Sequence, residues 1–321
     1  MTILITGAAG FVGCNLAKVL LEHGHEVAGF DNLCRGNMNN LAQVIGNPRF
    51  RFINVDLADI TAYRDAIIAI DKNSAVTEIW HMAANSDIPA GISDTSVDLR
   101  DTFMTTHNTL ALMKEFEVRI IAFASSSAVY GDLGDRELFE DIGPLFPISN
   151  YGAMKLASEA AISAAAESHL ERAYLFRFPN VIGTPATHGV ILDFIRKLKA
   201  TPNQLEVLGD GTQQKSYLHV DELIEAMLFI RERGRDRLNY HNIGATDDGV
   251  TVRFIAETVV AQTAPGATIR FGQGNKGWVG DVPRFRYSTA KLAALGWQPT
   301  ASSADAIRKA VAQIHAQETA L

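Results

Sequence analysis

Tyr151 and Lys155 stand four residues apart in YGAMK, at the head of an alanine-rich stretch. In a helix that spacing puts both side chains on one face. Such a pair can make a base. A phenol with a pKa near ~10 must fall by roughly three units to act near pH ~7, which costs about 4 kcal/mol. A lysine ammonium ~5 Å away, at an effective dielectric of ~20, supplies on the order of 3 kcal/mol. Upstream, ASSSAVYG at residues 124–131 brings three serine hydroxyls to the end of an apolar run. One of them would hold a substrate oxygen while Tyr151 takes its proton and the same carbon gives hydride to a nicotinamide.

That chemistry needs a place for the hydride acceptor, and ILITGAAGFVG at residues 3–13 provides one. Gly7, Gly10 and Gly13 lie between an apolar strand pattern and a helical one. There, Gly7 permits a tight turn, Gly10 lets the backbone approach a pyrophosphate, and Gly13 lets helix and strand pack closely. The helix N-terminus then points its amides at the phosphates. Asp31 follows 18 residues after Gly13, at the end of the next strand pattern. A carboxylate there accepts the ribose hydroxyls and repels a 2′-phosphate, which selects NAD over NADP.

The elements that hold these residues alternate. Strand patterns at 2–6, 25–31, 51–56, 77–84 and 119–125 are separated by helical stretches at 13–23, 62–71 and 102–116. Such βαβα order predicts an α/β protein of the Rossmann type, a doubly wound parallel sheet. From about Asn180 the pattern loosens into turns, with helices expected at 190–199 and 303–317. The expected division is a dinucleotide-binding domain over 1–179 and a smaller C-terminal α/β substrate lobe over 180–321, with residues 216–240 open to rejoining the first.

The chain has 321 residues and a formal charge of −7, which argues against a nucleic-acid binder. Its one basic run, RERGRDR at 231–237, reads as a solvated loop. Cys14 and Cys34 have neither metal-ligand nor disulfide spacing, and no metal site is expected. Reduced thiols, and the lack of a signal or membrane-length apolar run, predict a cytoplasmic protein with no membrane partner.

Taken together, these motifs resemble the extended short-chain dehydrogenase/reductase family, in particular its nucleotide-sugar epimerases and dehydratases. TGAAGFVG resembles the family's TGxxGxxG loop, so Phe11 and Val12 join the three glycines at the cofactor. FDNLCRG is similar to a segment of sugar-nucleotide 4-epimerases and adds Asn32. VDLAD implies Asp56 and Leu57 beside adenine, and HMAA implies Ala83 and Ala84 near the cofactor. In SSSAVYG the resemblance makes Ser126 the catalytic hydroxyl, with Ser127 beside the substrate. FRFPNVIG implies that Asn180 contacts the diphosphate, and GDGTQQKSYLHVDE brings in Lys215 and Tyr217. THGVILDF resembles the stretch that crosses the nucleotide base, with His188 and Val190. GWVGDVP brings in Asp281.

The departures bear on the reaction. Family 4,6-dehydratases carry an Asp and a Glu after the catalytic Thr, where this chain has Ser127 and Ala128. Lys215 and Trp278 stand where relatives carry Arg, Lys276 is a nearby substitute, and Phe285 resembles the gate beside the sugar. The resemblance thus implies NAD-dependent epimerisation at C4 of a UDP-hexose (UDP-glucose/UDP-galactose or UDP-glucuronate) by a homodimer. Epimerisation at another carbon, 4-keto reduction and a non-catalytic NAD-binding regulator are the alternatives.

Overall fold

The computed structural model describes residues 1–72, 74–134, 136–274 and 286–320. Apolar strand runs lead the chain into a parallel sheet through β1 (Thr2–Thr6), β2 (Glu26–Asp31), β3 (Phe50–Asn54), β4 (Val76–His81) and β5 (Ile120–Ala124). Strands Arg172–Arg177 and Leu238–Asn242 complete it. From one edge the order is Leu238–Asn242, Arg172–Arg177, β5, β4, β1, β2, β3. Adjacent strands from Arg172–Arg177 to β3 run parallel. The chain order reverses between β1 and β4. Open parallel sheets bind ligands at such a switch point, outside the carboxyl ends of the strands.

Helices α1 (Phe11–Glu22), α2 (Ile60–Asp71), α3 (Ile88–Ser93), α4 (Thr95–Asp98), α5 (Thr105–Glu115) and α6 (Asn150–Ala166) join these strands. Leu4, Phe30, Tyr63, Ile79, Ile121 and Phe123 anchor a core on the sheet. The sheet and these helices form one compact unit of residues Met1–Gly131, Gly143–Phe178 and Met227–His241.

The second unit comprises Asp132–Ile142, Pro179–Ala226 and Asn242–Leu321. Helices Val190–Ala200, Val252–Thr263 and Ser303–Ala320 enclose its core of Ile191, Phe194, Leu205, Val259, Ile307 and Val311. Strand Asn180–Ile182 pairs in parallel with Tyr217–His219. The division therefore differs from the expected one. Residues 132–142 belong to the second unit, and only the later part of the 216–240 stretch returns to the first.

Local chemistry explains the other departures. β3 stops at Asn54 because the Asp56 carboxylate turns back to accept from Ala58 N at 3.0 Å. The helix expected over 102–116 is interrupted by a π-helical turn over Leu99–Met104. There the Thr105 and Thr106 hydroxyls donate to the carbonyls of Asp101 and Thr102, at 3.0 and 2.9 Å. Such back-bonding bends helices. The basic run is not a solvated loop throughout. Arg231 lies in the last turn of helix Val220–Arg233 and grips the buried Glu78 carboxylate at 2.7 Å. Among the described residues, no helix is long and apolar enough to cross a membrane.

Candidate active site

β5 ends at Ala124, and the chain turns immediately into a short 3₁₀ helix, Ser127–Tyr130, capped by the Ser126 side chain. Across from it, Ser149 caps α6 by accepting from Gly152 N at 3.1 Å. That cap fixes Tyr151 and Lys155 in the first two turns. Lys155 is 1% exposed. Its ammonium donates to the Ala124 carbonyl at 2.5 Å, lies 4.6 Å from the Phe123 ring centroid and 5.8 Å from that of Tyr151. Ser126 lies close enough to the Tyr151 phenol to favour its ionised form. The three residues singled out from the sequence therefore meet at the carboxyl end of the sheet.

The electrostatics differ from the expectation that Lys155 makes Tyr151 acidic. Burial pushes the phenol up to about 12, the nearby Ser126 side chain opposes this, and the Asp98 carboxylate adds to it. Burial also pushes Lys155 down to about 7, against the pull of Glu159 and Asp98. For both groups desolvation is the largest influence, because each charged form loses water. His81, fully enclosed, is held neutral, its pKa depressed to about 3 by burial and then by Lys155. It hydrogen-bonds Thr6 at 2.7 Å and Thr106 at 3.1 Å, which makes it an orienting residue.

Behind this set lies a network that sequence reasoning missed. Glu159, one turn after Lys155, takes two bonds from Arg177, at 2.9 and 2.6 Å, and one from the Ser125 hydroxyl at 2.5 Å. Arg177 also donates to the Tyr130 hydroxyl at 3.0 Å. Helical spacing was the available signal, since Tyr151, Lys155 and Glu159 are four residues apart in turn. Asp98 and Asn85 were missed as well. Asn85 donates to Asp98 Oδ1 at 2.9 Å beneath α3.

The glycine loop was tested as a cofactor cradle. Gly7 has φ +67°, and a Cβ there would lie 2.8 Å from Ala83 N. A Cβ on Gly13 would meet Gly7 O at 2.1 Å. A Cβ on Gly10 meets only Gly7 O, at 3.1 Å, among the described residues, so its other side is clear of protein. Gly10 is also the N-cap of α1 and has no side chain to cap the helix, and among the described residues no side chain bonds the amides of Phe11 and Val12. These features fit a pyrophosphate. Asp31 is buried at the tip of β2, where its oxygens accept from Ala9 N at 3.0 Å and Leu33 N at 2.8 Å. Asn32 follows it and accepts from Cys34 N at 3.1 Å. Asp56 is ion-paired with Arg100. The Leu57 side chain belongs to the core, while its carbonyl accepts from Asn108 at 2.8 Å. Ala83 N faces Thr6 Oγ1 at 3.3 Å, and Ala84 follows it, half-buried.

In the second unit, Asn180 Nδ2 donates to Ser216 O at 3.4 Å and Lys215 is half-buried. His188 is exposed and bonded to Thr187, and Val190 begins a helix. Tyr217, expected beside the substrate, lies in the interior of this unit. It is 6% exposed and its ring packs in the core with Ile191 and Phe194. Ser127 is half-buried and uses its N–H on Phe178 O at 3.1 Å. Asp281, Lys276, Trp278 and Phe285 lie outside the described residues.

A doubly wound sheet with a phosphate-type glycine loop defines a dinucleotide-binding enzyme fold. The chain belongs to the NAD dependent epimerase/dehydratase family, which it matches over residues 3–244, and its cofactor is NAD. It is similar to a crystal structure of a UDP-galactose 4-epimerase, at 33% identity and a TM-score of 0.84 over 99% of each chain. It is also similar to the UDP-glucose 4-epimerase of Thermus thermophilus in complex with NAD, at 28% identity and a TM-score of 0.83, over 98% of this chain and 99% of that one. A dTDP-glucose 4,6-dehydratase of Streptomyces griseus is 28% identical over 98% of this chain and 94% of its own length.

Proposed function

We propose that this enzyme epimerises a nucleotide sugar at C4, with a UDP-hexose as substrate and a 4-keto sugar as transient intermediate. The observation that carries the reading is Lys155 5.8 Å from the Tyr151 ring with Ser126 near the phenol, and Ser127 and Ala128 next in the chain. An acid and a base after the catalytic hydroxyl are what the resemblance gives to 4,6-dehydratases for expelling water from C6. This chain has neither there.

In this reading Gly7, Gly10, Phe11, Val12 and Gly13 hold the pyrophosphate of NAD through backbone amides and the positive end of α1. Asp31 and Asn32 take a ribose, and Asp56, Leu57, Ala83 and Ala84 line the remainder. Bound NAD supplies a positively charged ring that takes a hydride from the sugar carbon and returns it. Ser126 aligns the sugar hydroxyl. Tyr151 removes its proton and gives it back after the keto sugar has turned. Burial holds the phenol up at about 12, so Tyr151 needs positive charge nearby before it acts as a base. Lys155 contributes part of that charge. Asn180, His188, Val190 and Lys215 are the proposed nucleotide-sugar contacts. Their binding energy holds the intermediate while the sugar itself stays free to turn.

The test is incubation with UDP-glucose, UDP-galactose, UDP-glucuronate and their N-acetyl counterparts, followed by separation of the sugars. Interconversion of a C4 pair with no net consumption of NADH supports the reading. Silence on every substrate by NAD-loaded protein overturns it, and steady NADH consumption identifies a 4-keto reductase instead. Sedimentation tests the accompanying homodimer.

A further inference from the structure

Asp98 ends α4 and is 0% exposed. Its Oδ1 accepts from Asn85 at 2.9 Å, whereas Oδ2 has no hydrogen-bond partner among the described residues. Oδ2 lies flat against α3. A Cβ on Gly91 would sit 1.8 Å from it, so only glycine there lets the carboxylate occupy this position. A buried, half-satisfied carboxyl costs several kcal/mol unless something compensates for it.

The other charges around the Tyr151–Lys155 pair are already committed. On α3, Asp87 pairs with Arg35 at 3.1 Å. On the π-helical turn, Asp101 pairs with Arg100, which also holds Asp56. On α6, Glu159 pairs with Arg177 at 2.6 Å, and Arg177 reaches Tyr130 as well. On β4, His81 is neutral. Of the groups at this pair, the Asp98 carboxyl and the Lys155 amine have no ion-pair partner in direct contact among the described residues, and burial raises the Asp98 carboxyl above its ordinary value. They influence each other through the interior, where α6 packs on α4 and the π-helical turn, with Glu159 acting on the ammonium more strongly and Asp98 next.

We propose that Asp98 is a second counter-charge of Lys155 beside the Arg177-bound Glu159, a positioning residue that helps keep the ammonium protonated while Tyr151 exchanges its proton. This deepens the Tyr151–Lys155 reading above and rests on it. The carboxylate favours the protonated form of both neighbours, since an anion stabilises an ammonium and opposes a phenolate. The electrostatic influences on Lys155 and Tyr151 have these directions. Without Asp98 both groups should release protons at lower pH.

The test is nitrogen-15 NMR titration of the Lys155 side chain in NAD-loaded protein, with the signal assigned by its loss in K155M. Asp98→Asn keeps the shape and removes the charge. Asp98→Ser removes charge and bulk together. Both should lower the Lys155 midpoint by about one pH unit. The alkaline limb of any turnover profile should move the same way. A purely structural carboxylate would move Tm and leave the midpoint alone. An unchanged midpoint in the folded variants overturns the proposal, and so does failure of both to fold. Absence of UDP-hexose turnover with a shifted midpoint would defeat the epimerase reading and leave the counter-charge standing.

Discussion

The Lys155 ammonium sits 2.5 Å from the carbonyl oxygen of Ala124, the last residue of β5 before the serine run. One bond therefore ties the helix carrying Tyr151 to the strand that delivers Ser126. It also places a titratable amine in the interior of the first unit.

Stability should depend on pH through that amine. Lys155 titrates near 7 in the folded protein against an ordinary 10.5. Between those values the unfolded chain binds a proton that the folded one does not, so stability rises with pH. Below about 7 the full cost of burying the charge is present, on the order of 5 kcal/mol. Burial also pushes the Cys14 thiol up to about 12, from 9.0, so comparison is cleanest between pH 7 and 9. Over that window wild type should gain stability relative to Lys155→Met, and below 7 the variant should be the more stable. Urea unfolding of both across this range reads the difference. Parallel curves would place the Lys155 midpoint elsewhere.

The Arg177–Glu159 pair should matter to stability far more than its surface counterparts. Its side chains are 8% and 6% exposed and share two bonds. Removing one partner leaves the other buried and unpaired, a loss of about 3–5 kcal/mol for Glu159→Ala or Arg177→Met. Arg64 and Glu115 make a similar two-bond pair in solvent, and Glu115→Ala should cost less than about 1 kcal/mol. The double variant Glu159→Met/Arg177→Met should recover part of the loss, because no lone charge remains. Denaturant midpoints for the four proteins test this, and equal losses at the two sites would refute it.

What could be read from the sequence follows from the range of each interaction. β1, β2 and β5 are short apolar runs with turn residues beyond them, and their limits were legible because local pattern decides them. The Tyr151–Lys155 pair was legible for the same reason, since helical spacing fixes it. Asp98 was not. Its significance comes from Asn85, Gly91 and Lys155, which lie 13, 7 and 57 positions away in the chain. The burial of Tyr217 was not legible either, because it comes from packing with residues of helix Val190–Ala200. The sign of the Tyr151–Lys155 electrostatics was also out of reach, because desolvation depends on the whole surrounding interior.

Asp31 should govern the choice of cofactor, though not by charge alone. Its two oxygens also hold the loop through Ala9 N and Leu33 N. Asp31→Ala should relax the preference for NAD over NADP and weaken NAD binding about tenfold or more. Asp31→Asn should keep more of the loop geometry while removing the repulsion of a 2′-phosphate. Dissociation constants for both dinucleotides, measured on the three proteins, separate charge from loop support. Unchanged selectivity in both variants would remove Asp31 from the ribose site.

Gly13 offers the sharpest test of the cradle, because space there is set by backbone and not by movable side chains. A Cβ would come 2.1 Å from Gly7 O and 2.9 Å from Ala8 Cα, both in the loop itself. To admit it, α1 must shift away from β1, and the amides at its N-terminus move with it. Gly13→Ala should therefore lose NAD affinity by at least a hundredfold, together with roughly 1–3 kcal/mol of stability from overpacking. Gly46 supplies the control, since a Cβ there meets nothing within 4 Å. Gly46→Ala should leave NAD binding unchanged. Calorimetric titration of NAD into both variants reads the outcome directly. Wild-type affinity in Gly13→Ala would mean that the phosphates do not depend on close approach of α1 to this loop.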